Sequence, residues 1–214
     1  MFTRRLTPIN DIDSNLLSNL KKRYSIPGGW DSTDADVVSF KDIMKVRLQQ
    51  NQLNKCAYCE LPLGTRSPEI EHIAPKGGTK RPKHTECIFL PLNLVYSCRR
   101  CNSPQCKGQR DTVLSKNGSD EYSQWTFSIV HPYLDDPSDY FEMNLLQDGR
   151  RGPIPLIKRN VGESQKAKAR TTIQMFKLNS EEVVLELAKE FHSQSVPEEI
   201  SRLITGVSTY KPGG

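Results

Sequence analysis

The chain has 214 residues, of which 36% are hydrophobic and 26% charged. That suits one modest domain, or a small module with flanking helices, and leaves little for a large apolar core. No run approaches the roughly 18 apolar residues of a spanning helix, which argues against a membrane protein.

Residues 1–5 are basic but lead into no apolar segment, so no secretory leader is expected. The expected compartment is the cytoplasm, where paired cysteines more often mean metal than disulfide. The net charge of +5 is unevenly spread. Residues 72–110 carry eight Lys/Arg against one acid, Glu86, so this segment is +7 and the rest of the chain −2. A basic patch of that density suits a polyanionic substrate.

In chain order, residues 1–55 read as a helical lead-in. Ile12, Leu16, Leu17 and Leu20 form an apolar face behind Asp11 and Asp13. A turn at 24–31 carries Trp30, expected to pack this part onto the rest. A second helix over about 37–52 should bury Val38, Ile43, Val46 and Leu48. Residues 56–110 form a central module. It has a strand ending at His72, a mobile basic loop at 76–80, a second strand at 92–97 and a helix starting at Asn102. Residues 111–214 are mixed: an alternating strand at 125–131, a turn at 148–153, and two helices within 163–193 broken at 178–180. The tail after Ser195 is polar.

Two CxxC pairs, Cys56/Cys59 and Cys98/Cys101, stand 38 residues apart. Each such turn offers two thiolates to one ion, and two turns complete a tetrahedral S4 zinc site. A closed S4 site has no open position, so this Zn2+ would be structural. Redox chemistry at one CxxC is the rival, without a supporting βαβ context. Cys87 and Cys106 remain; Cys106 is a competing ligand candidate.

Between the pairs lie Glu71-His72 and Asn93, and Asn102 follows the second pair. Phosphodiester hydrolysis needs an activated water and charge neutralisation at phosphate. His72 suits the base, because imidazole is largely neutral near pH 7. Glu71 and Asn102 offer hard oxygen atoms for Mg2+ or Mn2+. Asn93 can hydrogen-bond the backbone around His72 and fix the ring. Lys76, Lys80, Arg81, Lys83, Lys107 and Arg110 are candidate phosphate contacts. His84 belongs to the basic loop. His131 could touch phosphate, with Asp135 or Asp136 nearby, or could simply bond across a turn. Lys166, Lys168 and Arg170 read as a solvated helix face or a partner surface.

The ordered pattern Cys-x2-Cys, Glu-His-Ile-x-Pro, Asn-Leu, Cys-x2-Cys-Asn resembles the zinc-bearing HNH endonucleases over about residues 56–110. The resemblance implies an α+β protein with a ββα-metal (HNH, His-Me finger) core and helical extensions at both ends. It also implies His72 as general base, Glu71 and Asn102 on the catalytic ion, and Asn93 orienting the base. Glu stands where Asp is commoner, and Asn102 where His is commoner, which leaves the preferred ion open.

Together with 101–108 and 129–137, the segment 70–76 is similar to the HNH nuclease subunits of Septu and retron-associated antiphage systems (PtuB type). That likeness implies an ABC/SMC-like ATPase partner (PtuA type), with residues 111–214 as a candidate partner-binding part. The rivals are a stand-alone restriction or homing enzyme and a non-catalytic zinc module that binds nucleic acid or a protein. The sequence does not choose between DNA and RNA.

Overall fold

The computed structural model describes residues 4–64, 66–145 and 151–195. It is a mixed α and β structure. Half of the turn expected at 148–153 falls on residues outside this set and its other half, 151–153, is strand, while the tail after Ser195 lies wholly outside.

Helix α1 spans Ser14–Tyr24 and is capped by Asp13, whose carboxylate accepts from the Leu16 amide at 2.7 Å. Lys21, Lys22 and Arg23 in its last turn complement the helix dipole. Helix α2, Ala35–Asn51, starts at Asp34, which caps the Asp36 amide. It buries Val37, Phe40, Met44 and Leu48. Of the face expected from sequence, Leu48 is buried, whereas Val38 and Val46 point outward, 44% and 52% exposed. The larger side chains of Phe40 and Met44 remove more apolar area from water than two valines, and they set the rotation of the helix.

Strand β1, Glu69–His72, ends at the histidine. The basic segment after it is a tight ladder of β2, Gly77–Gly78, and β3, Arg81–Pro82, not the loose loop expected. Gly77 sits at φ +71°, where a Cβ would lie 2.3 Å from the Arg81 carbonyl oxygen, so the turn requires glycine there. Strand β4, Leu94–Ser97, pairs antiparallel with β1, setting Glu71 opposite Val95 and His72 opposite Leu94.

Helix α3 is one turn, Arg99–Asn102. It ends where the sequence suggested a helix would begin, because Ser103 precedes Pro104 and takes an extended conformation (ψ 160°). Beyond it the chain turns back on itself. Strands β5, Val113–Ser115, and β6, Thr126–Phe127, form a second small ladder. The strand expected over 125–131 is therefore two residues long, and Ile129, Val130 and His131 are buried in succession.

Strands β7, Phe141–Leu145, and β8, Arg151–Ile157, pair antiparallel. Helices α4, Glu163–Phe176, and α5, Glu181–Ser195, follow. They break at Lys177, a left-handed C-cap at φ 50°.

Two apolar clusters form. One packs α1 and α2 against Ile88, Phe89 and Leu94. The other joins the cysteine turns to Trp125, Phe127, Ile129 and the α4–α5 pair. Its contact with the C-terminal helices includes Tyr58 stacked on Phe176, with centroids 4.0 Å apart and planes at 13°. No helix among the described residues is long and apolar enough to cross a membrane. Replacing Phe176 with Ala should lower stability by about 3–5 kcal/mol, the usual loss for a buried aromatic ring. Urea unfolding measures this, and a loss below about 1 kcal/mol would mean that the helices do not complete this core.

Candidate metal centre and catalytic cleft

Cys56 and Cys59 lie in the turn bracketed by the bridge between Lys55 and Pro62, and Cys98 and Cys101 lie at the start of and within α3. All four are buried, and their sulfurs fall within 4.8 Å of one another. Cys59 and Cys98 sulfurs are 3.9 Å apart. A tetrahedral ion with Zn–S of about 2.3 Å separates its sulfurs by slightly under 4 Å, so these four cysteines could hold zinc. The Cys98 amide donates to Cys56 Sγ at 3.4 Å and Arg100 reaches Cys101 Sγ at 3.7 Å, both suited to thiolate. Cys106 is buried but lies outside this cluster, so it is no competing ligand. Burial pushes the Cys87 thiol up, and its S–H donates to the His84 carbonyl.

Beside this frame a cleft of about 540 Å³ is lined by Trp30, Glu71, His72, Lys76 and Asn102 among others. His72 is buried, and its Nε2 lies 3.0 Å from the Ile88 carbonyl oxygen. A carbonyl only accepts, so Nε2 carries the proton and Nδ1 keeps its lone pair. Burial lowers the His72 pKa from 6.5 to about 3, outweighing the opposing Ile88 bond. Trp30 meets the ring edge-to-face, with centroids 4.6 Å apart and planes at 82°. A Cβ at Gly29 would lie 1.9 Å from the Tyr24 carbonyl oxygen, so glycine is needed in the turn that delivers Trp30.

Asn93 is fully buried and bonded on every side. Its Oδ1 accepts from the Ala74 amide at 2.7 Å and from Tyr122 Oη at 2.8 Å. Its Nδ2 donates to the carbonyls of Ala74 and Cys87 at 3.1 and 3.0 Å. The amide thus clasps the segment just after His72 to the one just before Ile88. Tyr122 gives its proton to Asn93, so it accepts from His131 Nε2 at 3.1 Å. His131 Nδ1 in turn accepts from the Tyr133 and Leu134 amides, each at 3.2 Å. His131 is therefore a buried neutral ring bonding across a turn, with both nitrogens taken. Its neighbour Asp135 accepts from its backbone amide, not its ring.

The two oxygen donors are less simply arranged. Glu71 is buried and ion-paired with the Lys107 ammonium, which also donates to the His72 carbonyl at 2.7 Å. Burial raises the Glu71 carboxyl above its usual range, against the pull of Lys107. Lys107 is wholly buried, so the phosphate contact expected from sequence does not exist at the surface. Asn102 donates through Nδ2 to Glu69 at 2.6 Å, which leaves its Oδ1 as the atom for an ion. Glu69 escaped the sequence reading. The period-2 geometry of β1 carries the missing signal, since it sets Glu69 and Glu71 on one face. The Ile88 carbonyl and Tyr122 have no comparable signal, being a backbone atom and a residue joined only by folding.

Lys80, Arg81 and Arg110 are exposed, and Lys83 donates to the Gln109 carbonyl at 2.8 Å. Lys76 sits 3.4 Å from Asp31. His84 is turned inward onto Asp111 at 2.9 Å, away from the face of the basic ladder. Lys168 is largely covered and paired with Asp135 at 2.6 Å, not solvated.

Two outcomes follow from these environments. With zinc on the four cysteines, Cys98→Ser would lose the ion and unfold the module, read as lost metal by atomic absorption and lost near-ultraviolet dichroism. For His72, the folded ring is neutral where the unfolded ring would be charged. Its stabilising contribution is therefore intact above about pH 6.5 and is lost as the pH falls toward about 3. Ring-carbon NMR should show neutral imidazole at pH 5, and a protonated ring there would contradict the burial.

No family model matches the chain. Over 105 residues it is 31% identical to the Septu protein PtuB of Bacillus thuringiensis, covering 48% of this chain and 34% of that protein. Over 81 residues it is 35% identical to the CRISPR-associated endonuclease Cas9 of Corynebacterium diphtheriae, covering 37% of this chain and 7% of Cas9. The chain thus spans about a third of one relative and a small fraction of the other. These distant likenesses support a nuclease.

Proposed function

We propose that this chain is a metal-dependent HNH endonuclease that hydrolyses phosphodiester bonds in nucleic acid. Zinc on Cys56, Cys59, Cys98 and Cys101 serves as scaffold. Glu71 and Asn102 hold Mg2+ or Mn2+, an ion whose chemistry is to polarise the scissile phosphate and offset its developing charge. His72 takes the proton of the attacking water at Nδ1, while the Ile88 carbonyl holds Nε2–H and so maintains that tautomer. Asn93 keeps the two backbone segments that define the ring position in register. Lys76 at the cleft, with Lys80, Arg81 and Arg110 outside it, binds the polyanion backbone.

The observation that carries this reading is the single hydrogen bond to His72. It leaves a neutral imidazole with its basic nitrogen unclaimed, beside a carboxylate lining the same cleft. Partial likeness to a Septu protein and to an endonuclease supports the further proposal that the chain is the effector nuclease of an antiphage system. In that role it would work with an ABC/SMC-like ATPase, which a pull-down from native cells would reveal.

Cleavage assays on DNA and RNA, with Mg2+, Mn2+ or neither, test the chemistry. His72→Ala and Asn102→Ala should keep zinc and fold while losing at least about 100-fold in rate, the order expected for removing a general base or an ion ligand. Undiminished cutting by His72→Ala would trace the cutting to a contaminating nuclease and leave the chain as a zinc module that binds nucleic acid or a partner.

A further inference from the structure

Lys107, buried against Glu71 at the cleft, is the least expected residue here. It is wholly buried, and lysine is seldom buried so deeply unless paired. Its backbone is fixed too: the Lys107 amide donates to the carbonyl of Cys101 at 3.1 Å, and the Arg110 amide donates to the Lys107 carbonyl at 2.9 Å. Gly108 holds φ +47°, and a Cβ there would lie 3.0 Å from Pro104 Cα. The ammonium is thus positioned from the four-cysteine frame itself. It reaches back to two consecutive residues of β1, the carboxylate of Glu71 and the carbonyl of His72.

We propose that Lys107 is a built-in cation that holds Glu71 Oε1 and so limits this carboxylate to a single bond, through Oε2, with the divalent ion. This rests on the reading above, in which Glu71 is an ion ligand. A carboxylate capped on one oxygen is a monodentate ligand. Mg2+ and Mn2+ accept such ligands in octahedral shells, whereas Ca2+ takes six to eight oxygens and often a bidentate carboxylate. Lys107 is therefore a positioning residue that acts through Glu71 and selects for small ions. Its charge also opposes a second cation nearby.

The test is calorimetric titration of the intact, zinc-loaded protein with Mn2+ or Ca2+ alone, without substrate. Wild type should bind Mn2+ well and Ca2+ poorly. Lys107→Met should tighten Ca2+ binding by about tenfold or more, because the carboxylate regains its second oxygen and a repelling charge is gone. Cleavage by the same variant should not improve, since the water-activating side of the cleft loses the clamp on the His72 carbonyl. Calcium affinity unchanged within about twofold, or weakened, overturns the proposal.

Glu71→Gln separates the two levels of the argument. If it leaves Mn2+ affinity intact, the ion reading fails and the Lys107 role fails with it. Should Lys107→Met not fold, crystals of wild type soaked in Mn2+ decide. One Glu71 oxygen on the ion with Lys107 still on the other supports the proposal. Two oxygens on the ion, or a displaced lysine, refutes it.

Discussion

Four sulfur atoms from two segments that lie 38 residues apart in the chain converge to within 4.8 Å of one another. Nearly everything that matters in the cleft is positioned from that point. The β4 strand runs directly into Cys98, so the sulfur frame sets where β4 lies and, through the ladder, where β1 lies. Cys101 anchors the turn that returns Lys107 to Glu71. Arg100, between the two thiols, donates to the carbonyls of Phe176 and Lys177 and ties the C-terminal helices to the same corner. The described residues form short two-stranded ladders with few cooperative hydrogen bonds of their own, and a thiolate-bound ion would supply the missing cohesion.

The imidazole is located by a second, different device. Asn93, Tyr122 and His131 form a buried polar chain in which the donor and acceptor assignments are mutually forced. His131 Nε2–H points to Tyr122, Tyr122 O–H to Asn93, and the amide of Asn93 to the backbone at Ala74 and Cys87. Such a network specifies one arrangement because each broken bond strands a buried partner, at about 1–3 kcal/mol. The network never touches His72. It fixes the two backbone segments between which the ring sits, and Trp30 closes the remaining side.

Charge is distributed by the same logic. The cations Lys80, Arg81 and Arg110 are exposed, whereas Glu71 and His72 at the cleft are one half of a buried ion pair and a neutral ring. Trp30 and the loop around Ile88 cover much of the ring, and this burial keeps it uncharged. Glu71, equally buried, keeps a cation in direct contact with it. Two adjacent residues of one strand thus occupy opposite electrostatic conditions, because the Lys107 ammonium reaches the Glu71 carboxylate whereas the His72 ring meets the Ile88 carbonyl and Trp30.

The sequence by itself determined the residue types and the spacings: two CxxC turns, a strand ending at His72, a helix pair broken near Leu178, and a basic segment between them. These are local signals, in which each residue's meaning depends on neighbours a few positions away. Even among local signals, α2 buries a different face from the one its valines suggest, because Phe40 and Met44 remove more apolar area from water.

What the tertiary structure alone decided is which atoms are left free. Lys107 reads as a surface cation on a helix until Ser103-Pro104 ends that helix and the chain folds back over Glu71. His131 reads as a second candidate base until its ring nitrogens are committed to Tyr122 and to two backbone amides. His72 resembles any other histidine until the Ile88 carbonyl takes one nitrogen and leaves the other. Each of these outcomes depends on a hydrogen bond between residues far apart in the chain or on a backbone atom, and no periodicity in the sequence records such a partner.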